Sequence, residues 1–452
     1  MESEFKQQGN HVVSIPEVNT EELARDMKEE IERCTKGLES NPGAMSSRCI
    51  YEVPLRFKDN NGSSYRPRIV SIGPKYYYDT DLKLYSDCKY QCLGFLLKRN
   101  RVKGLQDYLD RLRPCETKAR ECYPEEMIQD FRPPGDGDFL EMMVLDASFI
   151  LELFYMFQDP RLGPLKADEP PASLKWRLPY FYVDLILLQN QIPFFVLQEL
   201  FDISKMPDDP SLSLLALRFF NNVMSRPNEV IELYGNPKNP PLHLLDLVRS
   251  SLIPCHQKPP QRDENKQIQS IPCISQLRRS GIRVRPGKAE SFLAVKFKRG
   301  VVEMPSITIN DFMRYLLLNC VAFEQCHKSC PKHVTVYATF LDCLVNTSSD
   351  VQYLREHNVI DNHLADDDKV ARFINSLGKD VTFDIRDFYL SKLFNDVDKH
   401  YRNNFCVNWA SLRRRYCNTR WWFISACAAI LLLLLTFAQT FYTIIGYVHP
   451  KK

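Results

Sequence analysis

The stretch Trp421–Tyr447, WWFISACAAILLLLLTFAQTFYTIIGY, contains no Asp, Glu, Lys or Arg. At 1.5 Å per residue it would form a helix of roughly 40 Å, longer than the hydrocarbon core of a bilayer at about 30 Å. Core helices of soluble proteins seldom run so far without a charge, because one face meets water. Trp421, Trp422, Tyr442 and Tyr447 stand near the two ends, where amphipathic rings favour the headgroup layer. The run predicts one transmembrane helix at 421–447, followed by a short tail at 448–452, with the lipid bilayer as its partner.

Arg413, Arg414, Arg415 and Arg420 precede this run, and only His449, Lys451 and Lys452 follow it. The positive-inside bias therefore predicts a single-pass protein whose body is cytoplasmic, in the plasma membrane or an endomembrane. The N-terminal residues show no basic stretch leading into an apolar one, so no secretory signal peptide is expected. Two sequons, at Asn61 and Asn346, would matter only if the body faced a lumen.

The body is long enough for a sizeable core, with about 420 residues before the span. Its charges nearly cancel, 59 basic against 56 acidic over the chain, so no nucleic-acid partner is expected. Fifteen cysteines are scattered rather than set in a framework, and a cytoplasmic body would keep them reduced.

Periodicity divides the chain further. Residues 1–48 read as a leader, partly disordered or amphipathic, and 49–415 as one helical domain. Tyr65–Pro74 reads as a short extended run closed by a Gly-Pro turn. Residues 80–113 return to helical spacing. The strongest helix is expected over Phe139–Phe157. Glu141, Ser148, Glu152 and Tyr155 fall there within an arc of about 60°, predicting one narrow wet stripe, and Asp146 lies on the opposite, apolar side. Asp184–Phe201 reads as a second apolar helix that Pro193 kinks or restarts. Residues 254–268 are polar and Pro-rich and read as an exposed loop. Ser275–Gly281 is a short helix stopped by Gly281. Phe292–Lys298 and Val301–Ile309 suggest a hairpin across Arg299-Gly300. Helices follow at Phe312–Phe323, Val334–Val345, Val370–Leu377 and Phe388–Tyr401. The fold class is mainly α: a large helical domain with a minor β-hairpin element, plus the C-terminal helix.

Three constellations bear on chemistry. Cys320, Cys326, His327, Cys330 and His333 offer soft ligands for zinc, but the segment lacks the paired knuckle of a structural site. They read instead as buried thiols and surface histidines, and no metal or cofactor is assigned. Asp146, with Glu141 or Glu152, could serve acid–base work; a carboxylate buried on an apolar face more often bonds backbone amides, a hydroxyl or an arginine. Arg278, Arg279, Arg283, Arg285, Lys288, Lys296, Lys298 and Arg299 form a basic cluster. It fits an anionic lipid surface or, more simply, a charged hairpin edge that discourages strand pairing. Phosphate-binding, metalloprotease and nucleophile-elbow motifs are missing, so no catalytic residue, small-molecule substrate or enzymatic activity is assigned.

Six segments in order carry a resemblance: RPRIVSIGP at 66–74, FLEMMVLDASFILELF at 139–154, DLILLQNQIPFFVL at 184–197, VAFEQC at 321–326, VQYLREHNVIDNHL at 351–364, and the final hydrophobic helix. From about residue 50 onward the chain resembles the plant family called domain of unknown function 247. The resemblance implies a plant membrane protein with a largely helical domain and no established catalytic residues. Some relatives are associated with pollen–pistil recognition in grass self-incompatibility and with sexual development. The implied function is a membrane-tethered interaction or recognition module with an unknown protein partner, in reproductive or developmental signalling; the alternative is a membrane-tethered enzyme. The chain departs from the family pattern at Lys75 and Tyr76 after SIGP, at Gln189 within LLQNQ, and at Ala147-Ser148 after Asp146. These departures lower the enzyme alternative.

Overall fold

The computed structural model describes residues 24–25, 27–28, 47–83, 86–99, 103–131, 137–157, 176–254, 271–379, 381, 388–402 and 420–448. Most of the expected leader and of the 254–268 loop, Arg413–Arg415 and residues 449–452 lie outside the described residues. The chain divides into two units, Met1–Ser47 and Arg48–Lys452. In the first, residues 24, 25, 27 and 28 are helical.

The second unit is mainly α. Its N-terminal half is built on α1 (Ser86–Arg99), α2 (Leu105–Leu112), α3 (Asp138–Met156), α4 (Leu178–Asp184), α5 (Phe194–Ser204), α6 (Leu212–Met224) and α7 (Leu244–Ser250). Helix α3 has no Gly or Pro to interrupt it and starts after Gly137, whose φ of 91° suits only glycine. It is the central rod of this half, and α1, α2 and α5 pack around it. The expected wet stripe on α3 is corrected: Glu141 is exposed, but Ser148, Glu152 and Tyr155 are buried. Helix α1 covers this side. Its Arg99 reaches Glu152 at 2.8 Å and lies 4.4 Å over the Tyr155 ring. A neighbour that supplies its own cation can bury a polar stripe that periodicity assigns to water.

Asp184–Phe201 is not one helix. Helix α4 ends at Asp184, residues 185–193 run as buried irregular chain, and α5 begins directly after Pro193. The irregular stretch persists in the core because side chains satisfy its backbone groups, as described below. Tyr65–Pro74 is likewise not a strand. It ends at Gly73, with φ of 77°, before a single 3₁₀ turn at Pro74–Tyr76.

The hairpin forms across Arg299-Gly300, whose φ values of 51° and 75° set a tight left-handed turn. It is shorter than expected and belongs to a larger sheet. Strands β1 (Arg283–Gly287), β2 (Lys296–Lys298) and β3 (Val301–Pro305) are ordered β1-β3-β2, with β1 parallel and β2 antiparallel to β3. The run 301–309 breaks at Ser306, and β4 (Ile307–Ile309) pairs in parallel with β5 (Ile360–Asn362). A helix precedes β1 at Ile274–Arg279, and Gly281 follows it at φ of 82°.

The C-terminal half contains α8 (Asp311–Cys326), α9 (His333–Leu344), α10 (Ser348–Glu356), α11 (Asp367–Leu377) and α12 (Ser391–Tyr401). Three of them start on a side-chain cap: Asn310 accepts the Met313 amide at 2.8 Å, Thr347 with Asp350 closes a capping box on α10, and Asp366 accepts the Asp368 amide on α11. The last helix, α13, spans Arg420–Val448; its segment Cys427–Ile445 is long and apolar enough to cross a membrane and is exposed throughout.

Candidate functional site

The chain Arg68–Gly73 has no strand partner and enters the core at Val70, and four buried side chains serve its backbone instead. Asp184, at the end of α4, accepts the amides of Arg68, Ile69 and Val70 at 2.9, 2.9 and 3.0 Å. Asn190 accepts the Ile72 amide at 2.7 Å and donates to the carbonyls of Val70 and Asp184 at 3.1 and 2.9 Å. Asp146, from the middle of α3, accepts the Gly73 amide at 2.7 Å. Lys89 of α1 bridges the two segments, 2.5 Å from Asp146 Oδ1 and 2.6 Å from the Ser71 carbonyl.

The irregular chain 185–193 is tied in the same way. Gln191 donates to the carbonyls of Leu185 and Leu187 at 2.7 and 3.0 Å, and Asn319 of α8 accepts the Leu188 amide at 2.9 Å. The Tyr123 hydroxyl donates to the Gln191 carbonyl at 3.0 Å. A Cβ on Gly73 would collide with that same carbonyl, so this crossing requires glycine in addition to its positive φ.

Burial raises the Asp146 carboxyl above its ordinary range, against the pull of Lys89 and the Gly73 amide. Burial likewise raises Asp184 to about 6, against the three amides and Arg68. Asp146 is thus buried as its place on α3 predicts, and it holds a backbone amide. Its charge partner is a lysine, where an arginine was among the expected partners. Glu141 and Glu152 do not join it. Glu141 receives the Tyr90 hydroxyl at the surface, and Glu152 pairs with Arg99.

A second buried cluster joins α7, α8 and α9. Arg249 binds Asp246 at 3.0 Å and Glu324 at 3.2 Å. Glu324 also accepts the first amides of α9, Val334 at 3.1 Å and Thr335 at 2.7 Å. His243 caps α7: its Nδ1 accepts the Asp246 amide at 3.2 Å, which leaves Nε2 to donate to the Cys49 carbonyl at 3.1 Å. Burial lowers this imidazole to about 4, against the pull of Asp246, so it stays neutral.

The metal candidates disperse around this cluster. Cys320 is buried inside α8, and His327 binds the Tyr51 hydroxyl at 2.7 Å and stacks on Phe323. The Cys330 thiol points to the Pro331 carbonyl, and the His333 ring packs on Tyr389. His327 and Cys330 are buried and His333 is half-buried, so the expectation of two surface histidines is corrected for both. Among the described residues no three His, Cys, Asp or Glu side chains gather as metal ligands would, and the described cysteines are free thiols.

Sequence reasoning overlooked Lys89, Asp184, Asn190, Asn319 and the Asp246–Arg249–Glu324 group. One signal was available. Asp184, Gln189, Asn190 and Gln191 interrupt an apolar run at positions that fit neither a helical stripe nor a strand.

The buried amide clamps map onto the segments that carry the family pattern, 66–74, 139–154 and 184–197. The family described as "Plant protein of unknown function", domain of unknown function 247, matches residues 50–435. The chain belongs to this family. It is 31% identical to the UPF0481 protein At3g47200 of Arabidopsis thaliana over 429 residues, 89% of this chain and 88% of that one. It is 23% identical to the putative UPF0481 protein At3g02645 of the same plant over 494 residues, 87% of this chain and 89% of that one. No solved structure matches the chain. Asp146 lies in the helical segment 139–154, and Asn190 and Gln191 lie in the irregular chain of 184–197. All three hold irregular backbone.

Proposed function

We propose that this plant protein is a membrane-tethered module that presents a helical body to a protein partner. The observation that supports the reading is a division of labour. The apolar helix Cys427–Ile445 is wholly exposed, whereas the buried carboxylates of the body bond backbone amides or paired cations. An exposed apolar surface of that size calls for a lipid environment. Carboxylates committed to amides hold a shape rather than transfer protons. Arg413–Arg415 and Arg420 argue for a body on the cytoplasmic side. On the family resemblance alone, we extend the reading to recognition in reproductive or developmental signalling.

Membrane fractions washed with carbonate should retain the full chain and release a chain ending at Arg420; retention of the truncated chain overturns the tether. Crosslinking in intact membranes should convert the full chain to a defined complex with a second protein. A chain found only as a monomer, or turnover of a small molecule by the purified protein, overturns the interaction reading.

A further inference from the structure

Strand alternation and register set two cross-strand rows on the exposed face of the three-stranded sheet: Arg283–Val301–Lys298 and Arg285–Glu303–Lys296. The alternate residues Val284, Val302 and Met304 are buried on the other face, where the Phe297 ring meets His400 of α12 at 5.8 Å. Four cations therefore share one face with a single carboxylate, and Arg285 Nε already holds that carboxylate at 3.1 Å. Arg299, exposed in the tight turn, adds a fifth cation at the rim.

We propose that this face docks on an anionic lipid leaflet beside the span, an inference that rests on the tether reading above. Two observations commit it to lipid. The face is net positive in a chain whose total charge nearly cancels. The helix against β2, α12, is also the last described element before the span. Arg402 and Arg420 are eighteen positions apart, so the chain between them reaches at most about 65 Å. The sheet is thereby kept within range of one leaflet, and each Lys or Arg near an anionic surface strengthens attraction about fivefold. Charged edge strands also discourage strand pairing, so the test must separate the two roles.

The full chain is placed in lipid nanodiscs of phosphatidylcholine alone or mixed with phosphatidylserine, and amide hydrogen exchange is followed along 283–301. Docking slows exchange there about tenfold in the phosphatidylserine discs only, and the protection fades as salt screens the charges. The variant R283Q/R285Q/K296Q/K298Q enters the discs equally well but loses the protection. Equal exchange in the two discs overturns the proposal, as does protection by soluble polyglutamate without protection by phosphatidylserine. Self-association of the variant, with no lipid dependence in the native chain, assigns the charges to edge protection and overturns it too. Failure of the native chain to enter either disc overturns the tether, and this inference with it.

Discussion

The buried clamps on Arg68–Gly73 and the exposed face of the β-sheet both concentrate charge, and they treat it in opposite ways. In the clamps every carboxylate meets fixed donors: three amides on Asp184, one amide and Lys89 on Asp146. On the sheet, four cations stand in two rows against Glu303 alone. A charge taken out of water must be matched atom by atom, so the first region is rigidly specified and intolerant of change. A charge left in water is stabilised by solvent, so the second can be altered with little effect on folding and remains available to a partner.

The widest gap between the two regions should appear with Asp146→Ala, which strands Lys89 and the Gly73 amide in the core. The expected loss is about 3–5 kcal/mol of unfolding free energy, measured by denaturant titration. A loss below 1 kcal/mol would remove the contrast at its strongest point. Gly73→Ala comes next at about 2–4 kcal/mol, from the positive φ and the collision with the Gln191 carbonyl. Retained stability in this variant would show that the crossing can shift and is not rigid.

Acid sharpens the comparison from inside the second buried cluster. His243 is held neutral at about 4 in the fold, below its ordinary 6.5. As pH falls through this interval the unfolded chain takes up a proton that the folded chain refuses, so stability is lost. Asp184, raised to about 6, works the other way. Between pH 6 and its ordinary value the folded chain holds the extra proton, and stability is gained on acidification. His243→Gln should therefore remove about 2 kcal/mol of acid destabilisation between pH 7 and 5, read from melts at several pH values. Parallel pH profiles for the two proteins would show that His243 takes up its proton in the fold at the same pH as in the unfolded chain. The smallest effect belongs to the sheet: R283Q/R285Q/K296Q/K298Q should change unfolding free energy by no more than about 0.5 kcal/mol. A larger loss would mean that these cations hold the sheet together, and the two regions would no longer differ in kind.

Much of this architecture was legible in residue order. The burial of Asp146 follows from its angle on α3, and the hairpin follows from two β-rich runs around Arg299-Gly300. The start of α5 follows from Pro193. Each of these rests on contacts or steric limits within a few residues. The reading failed where a distant segment supplied the decisive group. Arg99 of α1 allows Glu152 to be buried on α3, and Asp184 with Asn190 allows Arg68–Gly73 to enter the core without a strand partner. In the sheet, β1 and β5 pair in parallel with strands to which no short turn connects them, so no local signal announces them.

By itself, the order of residues determined the helical class of the body and the long apolar helix at the C-terminus, because period and length are local properties of a chain. The tertiary structure alone decided which partners the buried polar groups would meet. A buried carboxylate's state depends on what packs over it: the partners of Asp146 and Asp184 lie 57 to 116 residues away, and Arg249 reaches Glu324 from 75.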